Sequence, residues 1–184
     1  MSKRNKRVCP VERASGLDNL FRKWIHNPDK ILGDYIKEGM VVLDVGCGPG
    51  FFSVEIAKMV GKSGKVIAVD LQEGMLEKLK NKIQGSEIEK RIELHKCETD
   101  KIGISTNLDF VLAFYMVHEV PDLETFLEEI QSILKPDGTF FIIEPSFHVS
   151  KQAFEETIDK AVAIGFKHIK RPRVFLSRAA VLRK

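Results

Sequence analysis

A glycine-rich turn between a strand pattern and a helix pattern constrains the fold of this 184-residue chain more than any other feature. The β-branched run at 41–45 predicts a buried strand, and Gly46, Gly48 and Gly50 follow it directly. Apolar residues at helical spacing continue over 51–60. Because glycine adopts positive φ and lets the backbone pass close to a ligand, this turn indicates a binding loop in an α/β fold.

Strand and helix patterns alternate through the rest of the sequence. Strands are predicted over 65–70, 91–95, 109–114, 139–144, 167–169 and 174–182, and helices over 73–83, 123–134 and 150–163. Asp122 is placed to cap the second of these helices, and Gly165 to end the third. This alternation predicts one mostly parallel sheet with helices on both of its faces.

The first 38 residues stand apart from the alternating pattern. Apolar residues recur there at helical spacing: Leu17, Leu20, Phe21, Trp24 and Ile25. A second short helix is predicted over 31–36. We therefore divide the chain into a helical arm, 1–38, and an α/β domain, 39–184. Since ligands bind beyond the carboxyl ends of the strands in open α/β sheets, the arm is placed to act as a lid over that site.

The composition is that of an ordinary soluble protein, with 43% hydrophobic and 30% charged residues. No apolar run approaches the roughly 20 residues that span a bilayer, and no apolar signal core follows the basic N-terminus. We therefore expect a cytoplasmic protein without a membrane span. Cys9, Cys47 and Cys97 contain no CxxC pair, so neither a disulfide framework nor a metal site is expected.

Charge is unevenly distributed along the chain. No acidic residue follows Asp159, whereas eight basic residues do: Lys160, Lys167, Lys170, Arg171, Arg173, Arg178, Arg183 and Lys184. This stretch is compatible with a solvated basic edge, and also with a surface that docks nucleic acid or an anionic substrate.

The residues around the glycine turn distinguish between nucleotide ligands. Phe51 stands where a dinucleotide-binding motif has its third glycine. Pro49 has no backbone N–H that could donate a hydrogen bond to a pyrophosphate. Asp44 at the turn would repel phosphate and attract a cation. Asp70 ends the second predicted strand, where a carboxylate accepts hydrogen bonds from a ribose diol. A nucleoside that carries positive charge and no phosphate suits these residues best.

An ordered set of motifs resembles the class I S-adenosylmethionine (SAM)-dependent methyltransferases, of the type that includes ubiquinone and menaquinone C-methyltransferases. The segments are VVLDVGCGPG, VIAVDLQEGMLEKLK, DFVLAFYMVHEVPD and ILKPDGTFFIIEP, and they lie in family order within residues 40–184. The resemblance implies a Rossmann-like, seven-stranded, mostly parallel sheet with strand order 3-2-1-4-5-7-6. It also implies that strand 7 is antiparallel.

The resemblance implies a binding role for several residues. Gly46, Cys47, Gly48 and Gly50 would line the methionine part of SAM, and Asp44 would lie near its ammonium group. Asp70 would bind the ribose, whereas Leu71, Met75, Glu98 and Thr99 would surround the adenine. Phe114 and Tyr115 would face the sulfonium and the methyl acceptor. After transfer the product would be S-adenosylhomocysteine.

The apolar residues around Tyr115 favour a small apolar or aromatic metabolite as acceptor. A base is needed only if the acceptor carries a proton, and His118 is the best candidate, with Tyr115 beside it. The sequence lacks the Asn/Asp-Pro-Pro-Tyr signature of nucleic-acid amino methyltransferases. Two alternatives stay open: an RNA or protein methyltransferase that docks through the basic stretch, and a non-catalytic SAM-binding module. The sequence does not specify the oligomeric state.

Overall fold

The computed structural model describes residues 25–184. The predicted arm helix up to Trp24, and Cys9, lie outside those residues. The helices are α1 (Pro28–Leu32), α2 (Phe51–Met59), α3 (Glu73–Ile83), α4 (Leu123–Ile133) and α5 (Lys151–Ile164). The strands are β1 (Val41–Val45), β2 (Lys65–Asp70), β3 (Ile92–Lys96), β4 (Leu108–Phe114), β5 (Leu134–Pro145), β6 (Lys167–Lys170) and β7 (Ser177–Arg183).

All seven strands form one sheet in the order β3-β2-β1-β4-β5-β7-β6. The pairs from β3 to β5 are parallel, and β7 is antiparallel to both of its neighbours. β1 lies at the centre of the parallel part, with Val42 opposite Val66 on one side and Phe110 on the other. The predicted Rossmann-like topology is confirmed.

The period-2 alternation of each strand separates two hydrophobic cores. Val42 belongs to the core that includes α1, α2 and α3, whereas Leu43 and Val45 belong to the core that includes α4 and α5. Successive side chains of a strand point to opposite faces, so a run of apolar residues can fill both cores at once. Helices therefore cover both faces of the sheet, as predicted.

Helix ends follow local capping chemistry closely. The Asp122 carboxylate accepts hydrogen bonds from the first backbone N–H groups of α4, and the Ser150 hydroxyl does the same for α5. Gly165 ends α5 in the left-handed conformation. The first helix differs from its predicted range of 31–36, because Asn27 caps the chain earlier and Pro28 occupies the first turn.

Two strand boundaries also differ from the sequence expectation. β5 begins at Leu134 instead of 139, and the predicted turn at 136–138 is a bulge inside the strand, where Asp137 has φ of 63°. The register with β4 jumps there from Leu108↔Leu134 to Phe110↔Thr139. β7 begins at Ser177 instead of 174, because Leu176 adopts a positive φ of 51° that extended backbone cannot accommodate.

None of the helices within residues 25–184 has the length and apolar character needed to cross a membrane.

Candidate active site

One cavity of about 400 Å³ lies beyond the carboxyl ends of β1, β2 and β4, within the size range of small-molecule sites. Its wall includes twelve of the thirteen residues singled out from the sequence: Asp44, Gly46, Cys47, Gly48, Asp70, Leu71, Met75, Glu98, Thr99, Phe114, Tyr115 and His118. The remaining residue, Gly50, is not part of the wall. A Cβ atom at that position would lie 2.2 Å from Cδ1 of Leu79, so Gly50 lets α3 pack closely behind the turn.

The glycine turn is fixed to β2 and leaves open space on its cavity side. The backbone N–H groups of Gly46 and Cys47 both donate to the carbonyl oxygen of Val69, at 2.8 and 2.9 Å. Gly48 has φ of 55°, and a Cβ atom there would meet nothing within 4 Å. A ligand can therefore approach the backbone at Gly48 without displacing protein atoms.

Asp70 ends β2 with a carboxylate that is only 8% exposed. One of its oxygens accepts the N–H of Gly48 at 2.9 Å, and the other accepts the N–H of Gln72 at 2.8 Å. Burial raises the pKa of the carboxyl group above its ordinary value, and these backbone N–H groups partly oppose the rise. Since a carboxylate offers about four lone-pair sites, Asp70 can also accept two hydroxyl groups of a ribose.

The cavity wall is strongly acidic. Asp44 is buried at its base, where it accepts a hydrogen bond of 2.5 Å from the Ser53 hydroxyl. Among residues 25–184, five that line the cavity carry carboxylates and one carries an amine: Asp44, Asp70, Glu98, Glu119, Glu129 and Lys101. Because the field of such a wall repels phosphate and attracts positive charge, the residues fit the ammonium and sulfonium groups of SAM and disfavour a dinucleotide.

The two described cysteines belong to the same wall. Burial raises the pKa of the Cys47 thiol well above its usual range, and the neighbouring carboxylates of Asp44 and Asp70 raise it further. Burial also raises the pKa of Cys97 to about 11. Both thiols are therefore neutral at pH 7, which makes them weak nucleophiles and ordinary wall residues.

The loop after β3 is positioned by Glu129, a residue of α4 that the sequence did not single out. Its two carboxylate oxygens accept the N–H groups of Ile102 and Gly103, both at 2.8 Å. Upstream in the same loop, the Glu98 N–H donates to the Lys101 carbonyl at 3.0 Å. These bonds hold Glu98 and Thr99 on the side of the cavity predicted to receive adenine.

Aromatic side chains form the mouth of the cavity. The rings of Phe114 and Tyr115 stack with a centroid separation of 4.2 Å, and Tyr115 has a positive φ of 61°. The Tyr115 hydroxyl lies 2.6 Å from the Ser177 hydroxyl and 3.1 Å from Nε2 of His26. Because these contacts already engage its hydroxyl, Tyr115 suits the wall of the mouth better than proton transfer.

His118 is paired with Glu144, a residue that was not picked from the sequence. Glu144 is 2% exposed; its Oε1 accepts the Val117 N–H at 2.9 Å, and its Oε2 pairs with Nδ1 of His118. Because Nδ1 bonds to Glu144, the other ring nitrogen, Nε2, is the candidate proton acceptor, and it lies 3.9 Å from Oε1 of Glu119. The sequence did contain a signal for Glu144, because this residue ends an otherwise apolar strand. A charged residue is rarely buried there without a partner.

Comparisons with known proteins identify the family of this chain. Residues 36–172 match a family described as a methyltransferase domain. The structure resembles that of a SAM-dependent methyltransferase from Aquifex aeolicus, with a TM-score of 0.86, 29% identity, and coverage of 96% of this chain and 99% of that one. The chain belongs to the class I SAM-dependent methyltransferases.

Relatives with curated names include quinone-pathway enzymes. Demethylmenaquinone methyltransferases of Lactobacillus johnsonii and Lactococcus lactis are each 36% identical, over 60% and 72% of this chain respectively. A mitochondrial ubiquinone biosynthesis O-methyltransferase of Bos taurus is 36% identical over 68% of this chain and 33% of its own length. The chain spans about half the length of the two bacterial relatives, at 46% and 53%.

We expect the affinity for SAM to fall on acidification as Asp70 becomes protonated. The ionised carboxylate accepts hydroxyl groups and attracts a cation, so SAM binding lowers the pKa that burial has raised. The loss of affinity therefore begins at a pH above the ordinary aspartate pKa of about 3.9. Calorimetric titration with SAM across a pH series measures it.

The matched control for this pH dependence is Glu119→Gln, because burial also raises the pKa of Glu119. That variant should keep the acid loss of affinity, whereas Asp70→Asn should flatten it. The assignment to Asp70 is wrong if Asp70→Asn retains the pH dependence of the unmodified protein.

Proposed function

We propose that this chain transfers a methyl group from SAM to a small aromatic acceptor of the quinol type. The observation that carries the proposal is that His118, which pairs with the buried Glu144, and the stacked rings of Phe114 and Tyr115 all lie on the wall of one acidic cavity. The aromatic mouth supplies a binding surface for a flat apolar ring. The imidazole supplies an acceptor for the proton that such a ring loses on methylation.

The same cavity has the features needed to hold SAM. Asp70 would accept hydrogen bonds from the ribose, and the open space beside Gly48 would take the methionine part. The acidic wall would attract the two positive charges of SAM. When bound, SAM supplies a methyl group activated by its positively charged sulfur. The protein's contribution is then mainly alignment of the acceptor and exclusion of water.

His118 acts on the acceptor in this proposal. A quinol is electron-rich, so one of its oxygens or ring carbons forms the new bond to the methyl carbon as the carbon–sulfur bond breaks. In either case the acceptor loses one proton, which Nε2 of His118 takes. Glu144 keeps Nδ1 protonated and stabilises the imidazolium that results. The sulfur leaves as a neutral thioether, so charge balances.

The test uses SAM labelled in its methyl group and a demethylated naphthoquinol with a shortened side chain. We expect label in the organic extract above a control without enzyme, because the ring carries a free position and the mouth accepts a flat ring. The matched control acceptor is the same quinol already methylated on its ring, which takes up label only if the acceptor atom is an oxygen. Label transferred to added RNA or protein instead would favour the macromolecular alternative. Tight SAM binding without any transfer would favour a binding module.

A further inference from the structure

His26 is a buried imidazole at the start of the described chain, only 8% exposed although it precedes α1. Its Nε2 lies 3.2 Å from the carbonyl oxygen of Phe175 and 3.1 Å from the hydroxyl of Tyr115. Its ring meets those of Phe114 and Tyr115 edge-on, with centroids 5.2 and 5.5 Å away. A residue of the predicted arm therefore contacts the aromatic mouth of the cavity.

The chemistry of the partners assigns a direction to each hydrogen bond around His26. A backbone carbonyl can only accept, so Nε2 of His26 carries a proton and donates to Phe175. The Ser177 hydroxyl donates its single proton to the same carbonyl, at 2.9 Å. The Ser177 oxygen then accepts the hydroxyl proton of Tyr115, at 2.6 Å. This leaves the Tyr115 oxygen to accept from Nε2 of His26, so the four groups form one consistent chain of hydrogen bonds.

Tyr115 has a backbone conformation that an aromatic residue rarely adopts. Its φ of 61° lies in the left-handed region, which is unfavourable for a bulky side chain. Such a conformation persists only where the surrounding structure holds it in place. The Tyr115 N–H donates to the Ile143 carbonyl at 2.8 Å, and the hydroxyl bonds of His26 and Ser177 hold the far end of the side chain. The ring between these two ends is the part of the cavity wall that stacks on Phe114.

We infer that His26 is a positioning residue for the methyl acceptor, because it holds the Tyr115 ring in place at the mouth. Within the described chain, neither His26 nor Ser177 forms part of the cavity wall, so both act on an acceptor through Tyr115. The predicted SAM contacts lie elsewhere, at Asp70 and the glycine turn. Loss of the His26 bond should therefore weaken acceptor binding and leave SAM binding intact. The inference rests on the proposed function in one respect, that the acceptor lies against Tyr115.

The test compares two substitutions that each keep one half of the His26 contacts. His26→Phe keeps a ring against Phe114 but removes the donor, whereas His26→Gln keeps a side-chain N–H donor and removes the ring. With labelled SAM and the naphthoquinol, His26→Phe should raise KM for the quinol about three- to tenfold, as expected for one lost hydrogen bond. The effect on kcat should be much smaller, the SAM affinity should stay the same, and His26→Gln should recover most of the loss in KM.

Two further variants distinguish this role from a general loss of structure. Asn27→Ala is the matched control, because it removes the side-chain cap of α1 one residue away and should leave KM unchanged. Tyr115→Phe removes the hydroxyl itself, so adding His26→Phe to it should raise KM little further. Additive effects of the two substitutions, or an equal rise of KM in Asn27→Ala, would overturn the inference.

A second readout needs no acceptor. The chain has two tyrosines, Tyr35 and Tyr115, so labelling at tyrosine Cζ gives two NMR signals that Tyr35→Phe assigns. His26→Phe should move the Tyr115 signal, and Asn27→Ala should not. If that signal moves but the unmodified protein transfers no methyl group to the quinol, the quinol proposal fails and the hold of His26 on Tyr115 is supported. An unmoved signal, or a KM in His26→Phe equal to that of the unmodified protein, overturns the positioning role.

Discussion

Replacement of Asp70 by alanine should lower the affinity for SAM at least 100-fold. The carboxylate lies on the cavity wall and would accept the two ribose hydroxyl groups. Hydrogen bonds to a charged acceptor contribute about 1.5–3 kcal/mol each, so loss of two corresponds to about 100-fold or more. The substitution also leaves the N–H of Gly48 without its partner, which loosens the glycine turn. Calorimetric titration with SAM and with S-adenosylhomocysteine measures the loss.

Loss of binding has to be distinguished from loss of folding. Asp122→Ala is the matched control, because it removes a carboxylate that caps α4 through backbone N–H groups and is not part of the cavity wall. It should lower the melting temperature slightly, because a helix cap is lost, and leave the SAM affinity unchanged. If Asp70→Ala melts like Asp122→Ala and still binds SAM normally, the assignment of the ribose to Asp70 is wrong.

Replacement of His118 by alanine should lower kcat for the quinol by roughly 10²- to 10⁴-fold, the usual contribution of a positioned acid–base group. The affinity for SAM should change little, because Asp70 and the glycine turn lie on other elements of the wall. Single-turnover rates, compared with calorimetric SAM affinity, separate the two effects. An unchanged transfer rate would show that the acceptor ionises without help from the imidazole.

Glu144→Gln tests the positioning role of the buried carboxylate. The amide oxygen can still accept the N–H of Val117, but a neutral partner no longer stabilises the imidazolium of His118. We expect a smaller loss of kcat than for His118→Ala, together with a shift of the acid limb of the rate profile to lower pH. His148→Ala is the control, since its ring is 4.9 Å from that of His118 and bonds to no carboxylate within residues 25–184. A Glu144→Gln profile identical to that of the unmodified protein would contradict the role.

The sequence predicted those parts of the fold that depend on local chemistry. Asp122 and Gly165 marked helix ends because capping acts within a few residues. The β-branched run at 41–45 correctly predicted a buried strand because both faces of the central sheet are covered. Local sequence patterns did not predict the strand order. The order was predicted from the resemblance to a family, and the structure confirms it.

The parts of the site that could not be predicted depend on contacts between distant segments. Ser177 meets Tyr115 only because β7 inserts beside β5, and His26 reaches the same hydroxyl from the start of the described chain. The bulge at Asp137 likewise depends on its register with β4. Periodicity and composition carry no information on such pairings. Glu144 differs from these residues: it was not predicted, but its charge at the end of an apolar run was visible in the sequence.

The insertion of β7 between β5 and β6 fixes an order of assembly as the chain leaves the ribosome. β1, β2, β3 and β4, which carry most of the SAM cavity, can pair before the later strands are synthesised. Within the described residues β6 pairs only with β7, so it cannot join the sheet until 177–183 has emerged. Ser177, the partner of Tyr115 at the mouth, arrives with that same strand. The mouth of the cavity is therefore complete only after this last strand has been synthesised.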